Sequence, residues 1–479
     1  MPTTHPIPTS RLRFGHARED ITPPVGIYHR MWGAARQDRA TGVHRPLVVD
    51  VLYTAPLRGD ASPMLRVQID LVGIDAARYR SLAQAAGEGA GVPAERVVIS
   101  FSHTHAAGLM TPDRFDLPGG ELIPAYLDAL EDALRRGAAQ AVSSAQDAVI
   151  TYAVGRCDLA ADRDFWDDGN QLYACGFNPE TPADDTLMVA RVAASSGDPL
   201  AVIVNYACHP TTLAWDNTLI SPDYVGALRE TVEAEVGAPC VFFLGACGEL
   251  GPKEGFVGDT AVADRNGRQV GYATLSALNG LGAPGTDYVY QGPVVSGATV
   301  GTWSYVPQPD DRCTETERFG GGGMTVDLPL KPKPDADKLQ AELSSWEEKV
   351  QAAEDAGDVV AARTARARAE RARRWLMRLR QLPETPDIPF PFSVYQLGDA
   401  LWVTCAGEPS NQVQTELRRR FPDTPILVSP LAGDMQVAYL LPRDRYGLGL
   451  YQEEPSILAP GCLELLIEAI GETIEEIHD

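Results

Sequence analysis

A chain of 479 residues that is 44% hydrophobic can bury a large core, while a formal net charge of -24 repels phosphate backbones and anionic headgroups, arguing against nucleic acid or membrane surfaces as partners. No run of roughly eighteen uncharged apolar residues occurs, and the amino terminus has no apolar segment with a cleavage site, so the expectation is a cytoplasmic protein without membrane insertion. The eight cysteines form no CxxC pair and several sit in apolar runs, which disfavours a thiolate metal site or a disulfide scaffold.

Short apolar runs alternate with alanine-rich helical stretches from residue 13 to about 330, as at 65–72, 76–86, 96–101 and 125–142. Such alternation reads as α/β, and further buried strands are expected at 201–207, 240–244, 400–405 and 426–429. The glycine run 319–323 reads as a flexible loop, because no strand feeds it and no Lys-Ser/Thr follows. Between 333 and 383 the texture changes to helical spacing at Leu339, Leu343, Trp346 and Val350, a stop at Gly357, a cap at Asp358, and a second helix closing on Trp375, Leu376 and Leu379. The expected architecture is one large layered α/β domain with mixed sheets over 1–479, carrying an inserted antiparallel helical hairpin at 333–383. The arginines from Arg363 to Arg374 are able to bind an anion but read more readily as a solvated face or as partners of the acidic first arm, and the hairpin as an oligomer contact or a cover over the active site.

Histidines gather at strand ends. Residues 97–101 run directly into Ser102-His103-Thr104-His105-Ala106-Ala107-Gly108, and 201–207 lead to His209; the strand at 400–405 gives way to Glu408 and a helix capped by Ser410, and 426–429 lead through Gly433-Asp434 to Tyr439. In open α/β sheets ligands bind outside the carboxyl ends of strands. Taken singly, a His-x-His pair fits structural histidines equally well, Glu408 fits a carboxylate at a helix start, and Tyr439 fits an amphipathic core position. Two imidazoles and a carboxylate also compose a common catalytic zinc set, and their joint placement favours a site. His44 stays a further candidate, whereas His5, His16, His29 and His478 show no partner pattern.

The motif at 102–108 resembles the His-Thr-His-Ser-Gly segment of neutral/alkaline (non-lysosomal) ceramidases, and Ala207-Cys208-His209-Pro210-Thr211 resembles their second histidine motif. The segments at 19–26, 40–44, 243–252 and 406–409 are similar to further family motifs in the same order. This resemblance implies zinc (Zn2+) held by His103, His209, Glu408 and Tyr439, with His105 as acid/base, Arg163 touching substrate and Tyr451 near the scissile carbonyl. It further implies attack by zinc-activated water on the amide bond of a small, polar N-acyl substrate. Two departures stand out: the family's nucleophilic serine falls on Gly251, and its carboxyl-terminal immunoglobulin-like domain is not expected here. An esterase, a lactonase, a C–N lyase, a lipid-amide hydrolase and a metal-stabilised assembly protein remain alternatives.

Overall fold

A computed structural model of the chain, describing residues 3–433 and 439–478, places eight strands in one principal sheet. Across it run Cys240–Leu244, Pro199–Tyr206, Thr186–Ala194, Gln146–Arg156, Thr9–Asp20, Val48–Ala55, Met64–Ile69 and Val97–Phe101. The middle of the sheet is antiparallel, but the outermost pair at each edge is parallel. Parallel neighbours need a crossover, and the chain supplies a helix each time. Ala76–Ala90 lies between Met64–Ile69 and Val97–Phe101, and Tyr224–Val236 between Pro199–Tyr206 and Cys240–Leu244. The first of these helices begins where Asp75 accepts from the N–H groups of Ala77 and Arg78, and ends at Gly91 in the left-handed region.

The sheet curls until its two edges meet: Cys240–Leu244 also contacts Met64–Ile69 and Val97–Phe101. The carboxyl ends of both parallel pairs therefore open onto one place. A second sheet, ordered Phe319–Pro329, Asp387–Leu397, Ala400–Cys405, Ile426–Ser429, adds another parallel pair around the helix Gln412–Arg420. Asn205 Nδ2 ties the sheets together by donating to the carbonyls of Phe243 (3.0 Å) and Val428 (2.8 Å). Phe243, Ile203, Tyr152 and Trp402 fill the layer between them. No described helix is long and apolar enough to cross a membrane.

Strands at 240–244, 400–405 and 426–429 fall where the sequence places them. The glycine run does not behave as the expected loop. It opens the edge strand Phe319–Pro329, paired residue by residue with Asp387–Leu397. Alternation further along that strand, with Met324, Val326 and Leu328 on the apolar cluster, fixes a register that carries the glycines into the ladder. At Gly321 the backbone has φ +107°, and a Cβ there would come within 2.1 Å of the Val394 carbonyl oxygen, so glycine is what permits the pairing.

The hairpin consists of Ala336–Asp355 and Val359–Leu379, capped by Asp335 and Asp358 and joined through Gly357 at φ +68°. Ala369 and Ala372 on the second arm let it pack closely on Leu343 and Trp346 of the first. Arg371 and Arg373 pair across to Glu342 (3.3 Å) and Glu347 (2.8 Å), and Arg366 to Glu354. The second arm is fixed to the main body by Glu370. Its carboxylate accepts from Arg114 Nη1 (2.9 Å) and Nη2 (2.8 Å) and from Arg374 Nε (2.6 Å). Arg374 Nη2 also donates to the Met31 carbonyl at 2.6 Å.

Candidate metal centre

Beyond Phe101 the chain continues beside Met64–Ile69, with the N–H of Ser102 on the Ile69 carbonyl and that of His103 on the Leu71 carbonyl. It then turns at His103 with φ +65°, a backbone conformation that costs a non-glycine residue on the order of 1 kcal/mol. The ring is held by a 2.6 Å hydrogen bond between Nδ1 and the Val72 carbonyl. His209, one short step past Pro199–Tyr206, places Nδ1 against the carbonyls of Cys247 (2.7 Å) and Leu250 (3.1 Å). A carbonyl can only accept, so both Nδ1 atoms carry a proton, which in the neutral ring leaves the lone pair on Nε2.

Those lone pairs converge on a third acceptor. Glu408 Oε2 lies 3.1 Å from His209 Nε2 and 3.3 Å from His103 Nε2, and all three side chains are buried. Glu408 is carried by the two-residue strand Glu408–Pro409, paired in parallel with Tyr439–Leu440, which brings Tyr439 alongside. The cap position of the following helix falls on Asn411 and not, as the sequence suggested, on Ser410; Ser410 Oγ, one residue earlier, accepts from the Gln412 N–H at 3.3 Å and donates to Glu249 Oε1 at 2.7 Å. His105 completes the cluster, its ring centroid 4.8 Å from that of His103 and 6.1 Å from that of His209, its buried Nε2 without a hydrogen-bond partner. The ligating atoms of His103, His105 and His209 lie within 4.8 Å of one another, so this group can hold a metal ion.

Electrostatics agree with neutral imidazoles, the form a metal requires. Burial first, then Arg163, pushes His209 down to about 4. Burial, followed by His103 and His209, holds His105 well below the usual histidine range. Burial, followed by Glu408, drives the Tyr439 phenol well above its ordinary value.

Arg163 is itself buried; its Nη2 donates to the Gly248 carbonyl (2.6 Å) and to Tyr439 Oη (3.3 Å). Its guanidinium lies over the rings of Tyr451 (5.6 Å) and Tyr439 (5.9 Å). Tyr451 is half exposed at the rim of a cleft of about 70 Å³ whose walls include His103, His105, Glu408 and Tyr439. A Cβ on Gly251 would meet Thr211 Oγ1 at 3.7 Å and Arg163 Cδ at 3.9 Å, ordinary contacts that leave room for a small side chain.

Asp434, read from the sequence as part of the approach to Tyr439, lies outside the described residues. His44 stays away from the cluster, with Nδ1 on Ser221 Oγ (2.9 Å) and Nε2 on Asp264 (3.1 Å). His16, which showed no partner in the sequence, contacts Asp50 at 2.8 Å, and His29 contacts the Ala106 carbonyl at 3.0 Å. Sequence reasoning missed Trp32, whose ring lies 5.2 Å from that of His105 and packs edge-on against Phe256 and Trp215. It also missed Met377 and Arg378, through which the hairpin's second arm helps to wall the cleft. Lone residues in a loop or on a helix carry no periodic signal that would reveal them.

The chain is similar in structure to the neutral ceramidase of Pseudomonas aeruginosa, with a TM-score of 0.65 and 16% sequence identity over 98% of this chain and 75% of that one. It is also similar to a ceramidase solved in complex with C2, with a TM-score of 0.63 and 15% identity over 97% of this chain and 74% of that one. The neutral-ceramidase-like fold is therefore shown. No protein-family model and no curated protein matches the sequence.

Proposed function

We propose that this chain is a zinc-dependent amidohydrolase that cleaves the N-acyl bond of a small polar substrate. The carrying observation is the convergence of His103 Nε2 and His209 Nε2 on Glu408 Oε2, at 3.3 and 3.1 Å, with both Nδ1 atoms held by backbone carbonyls. Two imidazoles with a carboxylate suit zinc. Tyr439, flanking Glu408, completes the proposed ligand set.

When bound, the ion supplies Lewis-acid polarisation of a carbonyl and activation of water. His105, kept neutral by burial and with no hydrogen-bond partner at Nε2, accepts the proton of the attacking water and passes it to the departing nitrogen, work typically worth about a hundred- to ten-thousand-fold. Trp32 packs against that imidazole and limits its rotation. Tyr451, at the rim, donates to the carbonyl oxygen as negative charge develops on it. Arg163 keeps Tyr439 in place through its hydrogen bond. Gly251 offers no hydroxyl, so the chemistry proceeds by direct hydrolysis. The likeness to ceramidases supports an amide bond.

The test is metal analysis of the purified protein followed by a panel of acylated amines and matched esters. Near-stoichiometric zinc with amide turnover is expected. Protein that binds no divalent metal, or zinc-loaded protein that hydrolyses no acylated amine, overturns the reading.

A further inference from the structure

Along the second arm of the hairpin Arg363, Arg366, Arg371, Arg373 and Arg374 each meet a carboxylate. Arg378, one turn further on, does not. It is 9% exposed, its Nε is buried without a hydrogen-bond partner, and no carboxylate among the described residues pairs with it. The nearby acid Glu454 is already engaged by Trp375 Nε1 (3.1 Å) and Arg371 Nε (2.6 Å). Burial, reinforced by Arg374, lowers its guanidinium to about 10, which still leaves it charged at neutral pH.

The Arg378 guanidinium lies over the Trp375 ring, 5.2 Å from the centroid, a contact that offsets part of the cost of burial without supplying the hydrogen-bond acceptors of a counter-ion. Arg378 lines the same cleft as His103, His105 and Tyr451. Arg374, which also lines the cleft, is committed to Glu370 and the Met31 carbonyl, and Arg163 is committed to Gly248 and Tyr439 and is not among the lining residues. The planar guanidinium matches a carboxylate in a paired, two-bond geometry. We infer that Arg378 receives a carboxylate of the substrate, which makes that substrate an N-acyl amino acid or a similar amide bearing an acid group close to the scissile bond. The inference rests on the cleft being the substrate site of the proposed amidohydrolase. It gives the hairpin a purpose, since the inserted helix supplies the residue that selects for charge.

Binding separates this from the catalytic reading. Zinc-loaded protein is titrated by calorimetry with N-methanesulfonylglycine and with its neutral glycinamide counterpart, sulfonamides that resist hydrolysis. Wild type is expected to bind the acid on the order of tenfold or more tightly than the amide, and Arg378→Gln to bring that ratio close to one. Should the glutamine variant fail to fold, Arg378→Met keeps the aliphatic length without the charge and serves in its place. Equal affinities in wild type, no detectable binding of the acid, or a preference that survives in a folded variant overturns the inference. Amide hydrolysis without a carboxylate preference removes this inference alone, whereas a preference without hydrolysis removes only the catalytic reading.

Discussion

Replacing Glu370 by glutamine keeps the volume of a side chain that sits between arginines and removes its charge. The wild-type carboxylate accepts three hydrogen bonds, at 2.9 and 2.8 Å from Arg114 and at 2.6 Å from Arg374, and a third guanidinium, Arg373, stands 3.6 Å away. Arg114 has no exposed surface, so it cannot turn to water for compensation. Removing one partner of a buried pair typically costs about 3–5 kcal/mol. Concentrated on the joint between hairpin and main body, that loss raises the equilibrium for hairpin opening by roughly a hundred- to a thousand-fold or more. Hydrogen exchange along Val359–Leu379 reads this directly, and its amides should exchange faster by a comparable factor while the principal sheet stays protected. Acid should mimic the substitution. The arginines hold the Glu370 carboxyl well below the usual range against the opposing effect of burial, so its stabilisation is present above the unfolded value near about 4.3 and is lost as pH falls towards the folded one. Exchange rates in the Glu370→Gln hairpin within about threefold of wild type would refute the reasoning, because the joint would then depend on apolar packing alone.

The remaining predictions concern the centre and the core. His209→Ala should abolish stoichiometric zinc, whereas His105→Ala should retain zinc and lose turnover; equal metal loss in both variants removes the division of roles between ligand and proton carrier. Asp50 is fully buried between Arg18 and His16, and its carboxyl is lowered to about 2 against the opposing effect of burial, so it contributes about 2 kcal/mol that is present above pH 4 and lost as pH falls towards 2. Urea unfolding of Asp50→Asn should accordingly show a flatter acid limb than wild type. Gly251→Ser should fold with stability within about 0.5 kcal/mol of wild type, since the site leaves ordinary contact distances for a Cβ; a substantial fall in the melting temperature would show the space to be closed.

The strands were legible because a strand buried along its whole length has no polar alternation to confuse it, as at Cys240–Leu244 and Ala400–Cys405. His103, His209 and Glu408 were legible for a related reason, because each follows such a run closely and polar residues at strand ends point to a cleft. What the sequence could not disclose is how opposite edges of one sheet come together, since curling is a cumulative property of strand twist and not of any local motif. Nor could it reveal the glycine-run strand, because pairing there is imposed by a register set several residues away at Met324, Val326 and Leu328. Arg378 stayed hidden among many arginines. Its distinction is that it lines the cleft without a carboxylate partner among the described residues, and both cleft and partners exist only in three dimensions.

The near contact between His209 and Glu408 joins positions 199 residues apart in the chain. An ion shared by the two would act as a reversible cross-link closing a loop of that size, and the chain-entropy estimate for such a closure is about 5 kcal/mol taken from the unfolded state. The groups proposed for chemistry would then also serve as a clasp across the seam where the sheet edges meet. Chelation would remove turnover and the clasp together, leaving a molecule that unfolds at lower temperature and refolds with its most distant segments no longer drawn to a common point.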